Sequence, residues 1–274
     1  MTKYLPANGL RFAYLEEGKG PLVLLLHGFP DTAHTWDQVR PALAAAGFRA
    51  VSPFMRGYAP TEIPAQGPFD ADTLGQDALA LITALGESQA ILLGHDWGAS
   101  AAFSAVGLDP SKIRLLITEA IPHPASTVPT PKLLWMVRHF FTLKLPGAAA
   151  RIRAGDMAHI DELVQRWSPA WKIPAGETEA VKEAFRQPGC LEAAIGYYRA
   201  LSPFIPASQK KKVSVPAVAF AGTDDQIDVS FFEKARGRYQ NSYEVVKVPG
   251  GHFMHREHPK AFIDELLRVL APFA

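Results

Sequence analysis

Gly94-His95-Asp96-Trp97-Gly98 sets an acidic residue in a glycine-flanked turn, directly after the apolar run Ile91-Leu92-Leu93. The pattern predicts a strand, a tight turn and a helix over residues 98–106, with Asp96 at the helix N-terminus. Free backbone N–H groups and the helix dipole favour an anion there. A carboxylate with an ordinary pKa of about 3.9 is ionised at neutral pH and needs no base to attack carbon. Serine at such a turn suits carbonyl substrates; aspartate suits attack at an sp³ carbon and yields an alkyl–enzyme ester. That ester must then be hydrolysed by an activated water, for which a histidine neutral near pH 7 is the natural base. Ser100 lies one helical turn beyond Asp96 and is no rival nucleophile. Late in the chain His252, His255 and His258 recur at three-residue spacing. They precede the helix predicted from Pro259 and are read in a loop; with no H-E-x-x-H present, no metal is expected.

These side chains need a scaffold. The continuous apolar run Pro21 to Leu26 reads as a strand buried on both faces. Further strands are predicted at 49–52, 90–93, 114–118, 217–221 and 243–248. Helices are predicted at 33–46, 73–85, near 229–238 and at 259–270, with Gly47 and Gly86 stopping the first two. Strand–helix alternation of this kind predicts an α/β fold with a mostly parallel sheet covered by helices. Residues 121–209 break the alternation. They hold 10 of the 23 prolines together with several aromatics and helical patches at 160–167 and 179–185. The reading is an inserted helical cap (121–209) on a core formed by 1–120 and 210–274.

The strand–turn–helix around Asp96 resembles the nucleophile elbow of the α/β-hydrolase superfamily, and within it the epoxide hydrolase group. Four further segments carry the resemblance: His27-Gly28-Phe29-Pro30, Arg56-Gly57-Tyr58 (with Ala59 where the family has a second glycine), Gly222-Thr223-Asp224-Asp225 and Gly251-His252-Phe253. It spans the whole chain and implies an eight-stranded sheet, Asp96 as nucleophile and His252 as base. Backbone N–H groups of Phe29 and Trp97 would form the oxyanion hole. Asp225 stands where the family's acid stands, with Asp224 and Asp228 beside it. Glu119 competes, since some dehalogenases and a divergent epoxide hydrolase group carry their acid at that place. Two cap tyrosines hold the epoxide oxygen in this family. Tyr198 in Gly196-Tyr197-Tyr198-Arg199 matches the second, and His139 stands in place of the first, as in a divergent branch. Trp135, Phe140 and Phe141 either line an apolar pocket or pack the cap's own core.

The implied reaction opens a small apolar epoxide to a vicinal diol without a cofactor. One alternative is a haloalkane or haloacid dehalogenase with the same nucleophile and base. Against it, the haloalkane type carries Asn where this chain has Phe29, and the fluoroacetate type Arg where it has Trp97. Another alternative is a non-catalytic hydrolase-fold binding protein, which would have no use for a full acid–base–nucleophile set.

Composition narrows the field. The 274 residues are 48% hydrophobic and 20% charged, an ordinary globular profile. Lys and Arg total 28 against 27 Asp and Glu, so no basic excess points to nucleic acid. The Lys210-Lys211-Lys212 run reads as a solvated face. A single cysteine, Cys190, excludes an intrachain disulfide. Residues 1–20 lack the pattern of a signal peptide, and no apolar run is long enough to cross a bilayer. The expectation is a cytoplasmic monomer or homodimer.

Overall fold

The computed structural model describes residues 1–126 and 131–274. Eight strands form one sheet: β1 (Lys3–Ala7), β2 (Leu10–Glu17), β3 (Leu22–Leu26), β4 (Arg49–Pro53), β5 (Ala90–His95), β6 (Ile113–Glu119), β7 (Ala217–Gly222) and β8 (Tyr243–Val248). Their order is β1-β2-β4-β3-β5-β6-β7-β8. The pairs β1/β2 and β2/β4 are antiparallel and all later pairs are parallel. Every residue of β3, β5 and β7 is buried, because helices cover both faces of the sheet. Side-chain alternation splits the core in two: Leu24, Leu26 and Leu92 pack on one face, Val23, Leu25, Ile91 and Leu93 on the other.

The helices of the sheet layers are α1 (Val39–Ala45), α2 (Ala71–Ala84) and α3 (Trp97–Leu108). The helix expected over 33–46 is divided, with a 3-10 turn at Ala33–Trp36 before α1. Pro41 explains the division: it sits in the first turn of α1 and would lose a hydrogen bond and clash inside one continuous helix. Among the described residues the helices between β6 and β7 are α4 (Pro131–Met136), α5 (His139–Lys144), α6 (Ala148–Trp167, broken by non-helical backbone at 154–157), α7 (Glu179–Arg186), α8 (Cys190–Ala200) and α9 (Ala207–Lys210). The last of them packs on α3, where Gln209 Nε2 donates to Ser100 and Ser104. After β7 come α10 (Val229–Lys234), continued only by a 3-10 turn to Arg238, then α11 (Met254–Glu257) and α12 (Pro259–Leu270).

Phe29, Asp96, Glu119, Asp225 and His252 all fall at or just past the carboxyl ends of parallel strands, on one edge of the sheet. That edge depends on a close approach of α3 to β3. A Cβ on Gly98 would lie 2.1 Å from the Leu26 carbonyl oxygen and 2.9 Å from that of His27. Both are backbone atoms of a buried strand end and cannot swing aside. Gly98→Ala is therefore expected to cost about 3 kcal/mol or more. Thermal unfolding checks it, at roughly 2–4 °C per kcal/mol. Gly237→Ala, whose Cβ meets nothing within 4 Å, is the control expected to unfold near wild type.

Candidate active site

Asp96 adopts φ 51° and ψ −116°, a region that non-glycine residues avoid at a cost of about 1–3 kcal/mol. The turn is held by its neighbours: the N–H groups of Ala99 and Ser100 donate to the Asp96 carbonyl at 2.9 and 3.1 Å and start α3. The carboxylate is thereby lifted off the sheet with its two oxygens in different surroundings. Oδ1 accepts a hydrogen bond from the Phe29 N–H at 2.9 Å. Oδ2 faces His252 Nε2 at 3.6 Å. Trp97 opens α3, so its N–H is among those with no intrahelical acceptor. Gly28 leaves the carboxylate its room, since a Cβ there would stand 2.5 Å from Oδ1.

His252 is buried between two carboxylates, with Nδ1 at 3.4 Å from Asp225 Oδ2. Burial opposes a charge on the ring, but Asp225 and Asp96 outweigh it and raise the imidazole pKa to about 10. The ring is fixed from several sides. Its backbone N–H donates to the Trp167 carbonyl at 3.1 Å, and its carbonyl bonds His95 Nε2 at 3.0 Å. Trp167 and Phe253 pack on it, each at 5.2 Å between ring centroids. Asp225 is oriented in turn by the Ile227 N–H, which donates to Oδ1 at 3.0 Å.

The other carboxylates lie elsewhere. Asp224 is exposed, and Asp228 caps α10 by accepting from the Ser230 N–H at 2.8 Å. Glu119 is fully buried and meets His255, not His252, with Oε1 at 2.6 Å from His255 Nδ1. His255 Nε2 in turn bonds Thr35 Oγ1 at 2.6 Å. His255 lies within α11, which corrects the reading of all three late histidines as loop residues. Ligand-type atoms of His95, Glu119 and His255 lie within 4.8 Å of one another. The His255–Glu119 contact at 2.6 Å is a hydrogen bond; two ligands of one tetrahedral ion would stand about 3.3 Å apart. Glu119, His255 and Thr35 tie β6, α11 and the 3-10 turn at Ala33–Trp36 together, a link that sequence spacing gave no means of seeing.

Of the two adjacent tyrosines, Tyr197 is used structurally: its hydroxyl donates to the Arg56 carbonyl at 2.6 Å. The Tyr198 hydroxyl is buried without a hydrogen-bond partner. Its ring stands 5.2 Å from Phe29, 5.3 Å from Trp97 and 5.7 Å from His139. Burial, and then the Asp96 charge, hold its phenol well above the ordinary value, so it is a proton-bearing donor. His139 is also buried, which pushes its pKa down to about 3 and keeps it neutral. Among the described residues its Nδ1 meets no close hydrogen-bond partner. Phe140 lines the cavity over Asp96, whereas Trp135 and Phe141 are 68% and 60% exposed and neither line it nor pack a core.

The remaining motif residues lie behind the site and hold its loops. His27 is buried and neutral, with its pKa lowered to about 4 by burial, and its Nε2 accepts from the Met55 N–H at 3.0 Å. Arg56 forms a buried two-point pair with Asp77 on α2, both contacts at 2.7 Å. An ion network that the sequence did not announce joins Arg256 to Asp31 and Glu177, each at 2.7 Å.

Comparison with known proteins agrees with this architecture. The model of the alpha/beta hydrolase fold family matches residues 21–259. The AB hydrolase superfamily protein YfhM of Bacillus subtilis is 29% identical over 276 residues, covering 97% of this chain and 96% of the relative. Epoxide hydrolase 3 of Mus musculus is 30% identical over 282 residues, covering 95% of this chain and 76% of the relative. The crystal structure of an epoxide hydrolase from Vigna radiata superposes with a TM-score of 0.82 at 25% identity, covering 99% of this chain and 98% of that one. Among the described residues no helix is long and apolar enough to cross a membrane. The chain belongs to the α/β-hydrolase fold family, as an enzyme of its epoxide hydrolase-like group.

Proposed function

We propose that the protein hydrolyses epoxides to vicinal diols through an ester on Asp96, beneath a helical cap formed by residues 121–209. The observation that carries this reading is the pair of environments on one carboxylate: Oδ1 on the Phe29 N–H and Oδ2 facing His252 Nε2 at 3.6 Å. Oδ2 attacks a ring carbon and the C–O bond breaks toward the oxygen. Tyr198, a buried hydroxyl with no acceptor for its proton among the described residues, hydrogen-bonds that oxygen, and neutral His139 supplies the second contact. Esterification removes the Asp96 charge, one of the two that keep His252 protonated. The imidazolium then gives up its proton, which ends on the new hydroxyl group.

Neutral His252, held by Asp225, next takes a proton from water as that water attacks the ester carbonyl. The oxyanion forms on Oδ1 against the N–H groups of Phe29 and Trp97. Collapse expels the diol oxygen, which takes the proton of the newly formed carboxyl group. The Asp96 carboxylate and the His252 imidazolium are restored. No cofactor enters this balance. The epoxide hydrolases among the relatives support the substrate class.

Intact-protein mass of His252→Gln after exposure to mixed epoxides and alkyl halides tests the reading, because loss of the base stalls the ester. The expected adduct equals a whole epoxide. An adduct equal to an alkyl group without its halide would make the protein a dehalogenase, and no adduct from an inactive parent would overturn the hydrolytic reading.

A further inference from the structure

Two cavities of very different size meet over Asp96, with Ile121 and Phe140 on the wall of both. The larger, of about 360 Å³, runs under α8 and α9 past Trp97, Leu201 and Ile205. A cavity of about 150 Å³ is enough for a benzene ring, so this arm admits an aryl or branched alkyl group with room to spare. The polar side chains that reach it are already engaged. Asp70 accepts from the Thr73 N–H and hydroxyl at 3.0 and 2.9 Å. Gln209 donates to Ser100 and Ser104, and Ser202 Oγ accepts from the Phe204 N–H at 3.0 Å. The arm therefore rewards an apolar group and has little to offer a polar one.

The smaller cavity, of about 50 Å³, is bounded by His252, Asp225, Trp167, Met136 and Gln226. A benzene ring needs about 150 Å³ and a water far less, so this arm admits water and no ring. It is also the space beside the base, where the hydrolytic water has to stand. A substituent trans on the second ring carbon points away from the group in the larger arm and toward that space, and it would exclude the water in occupying it.

Building on the epoxide reading above, we infer that the substrates are monosubstituted, terminal epoxides bearing one apolar group. That group lies in the larger arm, and the small arm is kept for water. Met136, on the wall of the small arm, is a specificity-determining residue. The test compares styrene oxide, with one phenyl group, and trans-stilbene oxide, with one on each ring carbon. Wild type is expected to favour styrene oxide by about 100-fold or more in kcat/KM, and Met136→Ala to narrow that preference by about tenfold or more. Equal kcat/KM for the two epoxides would overturn the terminal-epoxide inference and leave the epoxide reading standing. Turnover of neither, with no adduct on His252→Gln, would overturn both.

Discussion

Asp96→Asn is expected to lower turnover by about 10⁴-fold or more while the chain stays folded, with Asp96→Ala equally inactive. Asparagine has the shape of aspartate, so the φ 51°, ψ −116° of the turn asks no more of it than of Asp96. Its carbonyl oxygen can also keep the Phe29 N–H bond that Asp96 Oδ1 makes at 2.9 Å. What is lost is the charge and the attacking oxygen. The same variant imitates the ester electrostatically, and this supplies a second readout. His252 is held up to about 10 by Asp225 and Asp96 against burial, which pulls the other way. With the Asp96 charge gone, burial is opposed by Asp225 alone, so the imidazole must titrate at lower pH. Following the labelled His252 ring by NMR against pH checks the direction. Turnover within tenfold of wild type in Asp96→Ala would show that another group attacks. An inactive Asp96→Asn whose His252 still titrates near the wild-type value would break the link between ester formation and release of the base.

The centre of this site was legible because its chemistry is local in sequence. Strand, turn and helix around Asp96 follow from glycines and apolar runs a few residues apart, and the buried strands announce themselves by continuous apolar stretches. The N-terminal hairpin did not show as strands, because β1 is an exposed edge with mixed polarity. Its signal was the turn: Asn8-Gly9 takes φ of 41° and 77°, the left-handed pair favoured in two-residue hairpin turns. Long-range polar pairing was illegible in principle. Nothing in spacing tells that Glu119 reaches His255 across 136 residues, or that Arg256 reaches Asp31 across 225. For the same reason sequence chemistry does not tell which of Tyr197 and Tyr198 has its hydroxyl engaged, since the distinction is whether Arg56 offers a carbonyl to one of them. The position of α9 is another such case: its contact with α3 depends on Gly107, where a Cβ would stand 2.2 Å from the Ser208 carbonyl oxygen.

The identity of the acid is where local pattern gave two answers, Asp225 and Glu119, and a pair of substitutions separates them. Asp225→Asn keeps the shape but replaces the charge beside His252 Nδ1, 3.4 Å away, with a neutral amide. In the proposed mechanism the imidazole then loses the partner that would fix its tautomer and stabilise the imidazolium formed when water is deprotonated. A loss of roughly 10⁴-fold is the scale for such a change in a serine-protease triad, and roughly 10³–10⁴-fold is expected here. The loss should fall on ester hydrolysis, so the alkylated enzyme accumulates while its formation in a single turnover continues. Glu119→Gln leaves an oxygen able to accept from His255 Nδ1, in a pocket that water does not reach. Its effect is expected in thermal stability, by about 1–3 kcal/mol, with turnover kept within about tenfold. The reverse pattern, an ester that persists in Glu119→Gln and clears normally in Asp225→Asn, would move the acid from the end of β7 to the end of β6. Geometry favours the first outcome: the carboxylate within 3.4 Å of His252 is Asp225, and the Glu119 oxygen nearest a histidine is committed to His255.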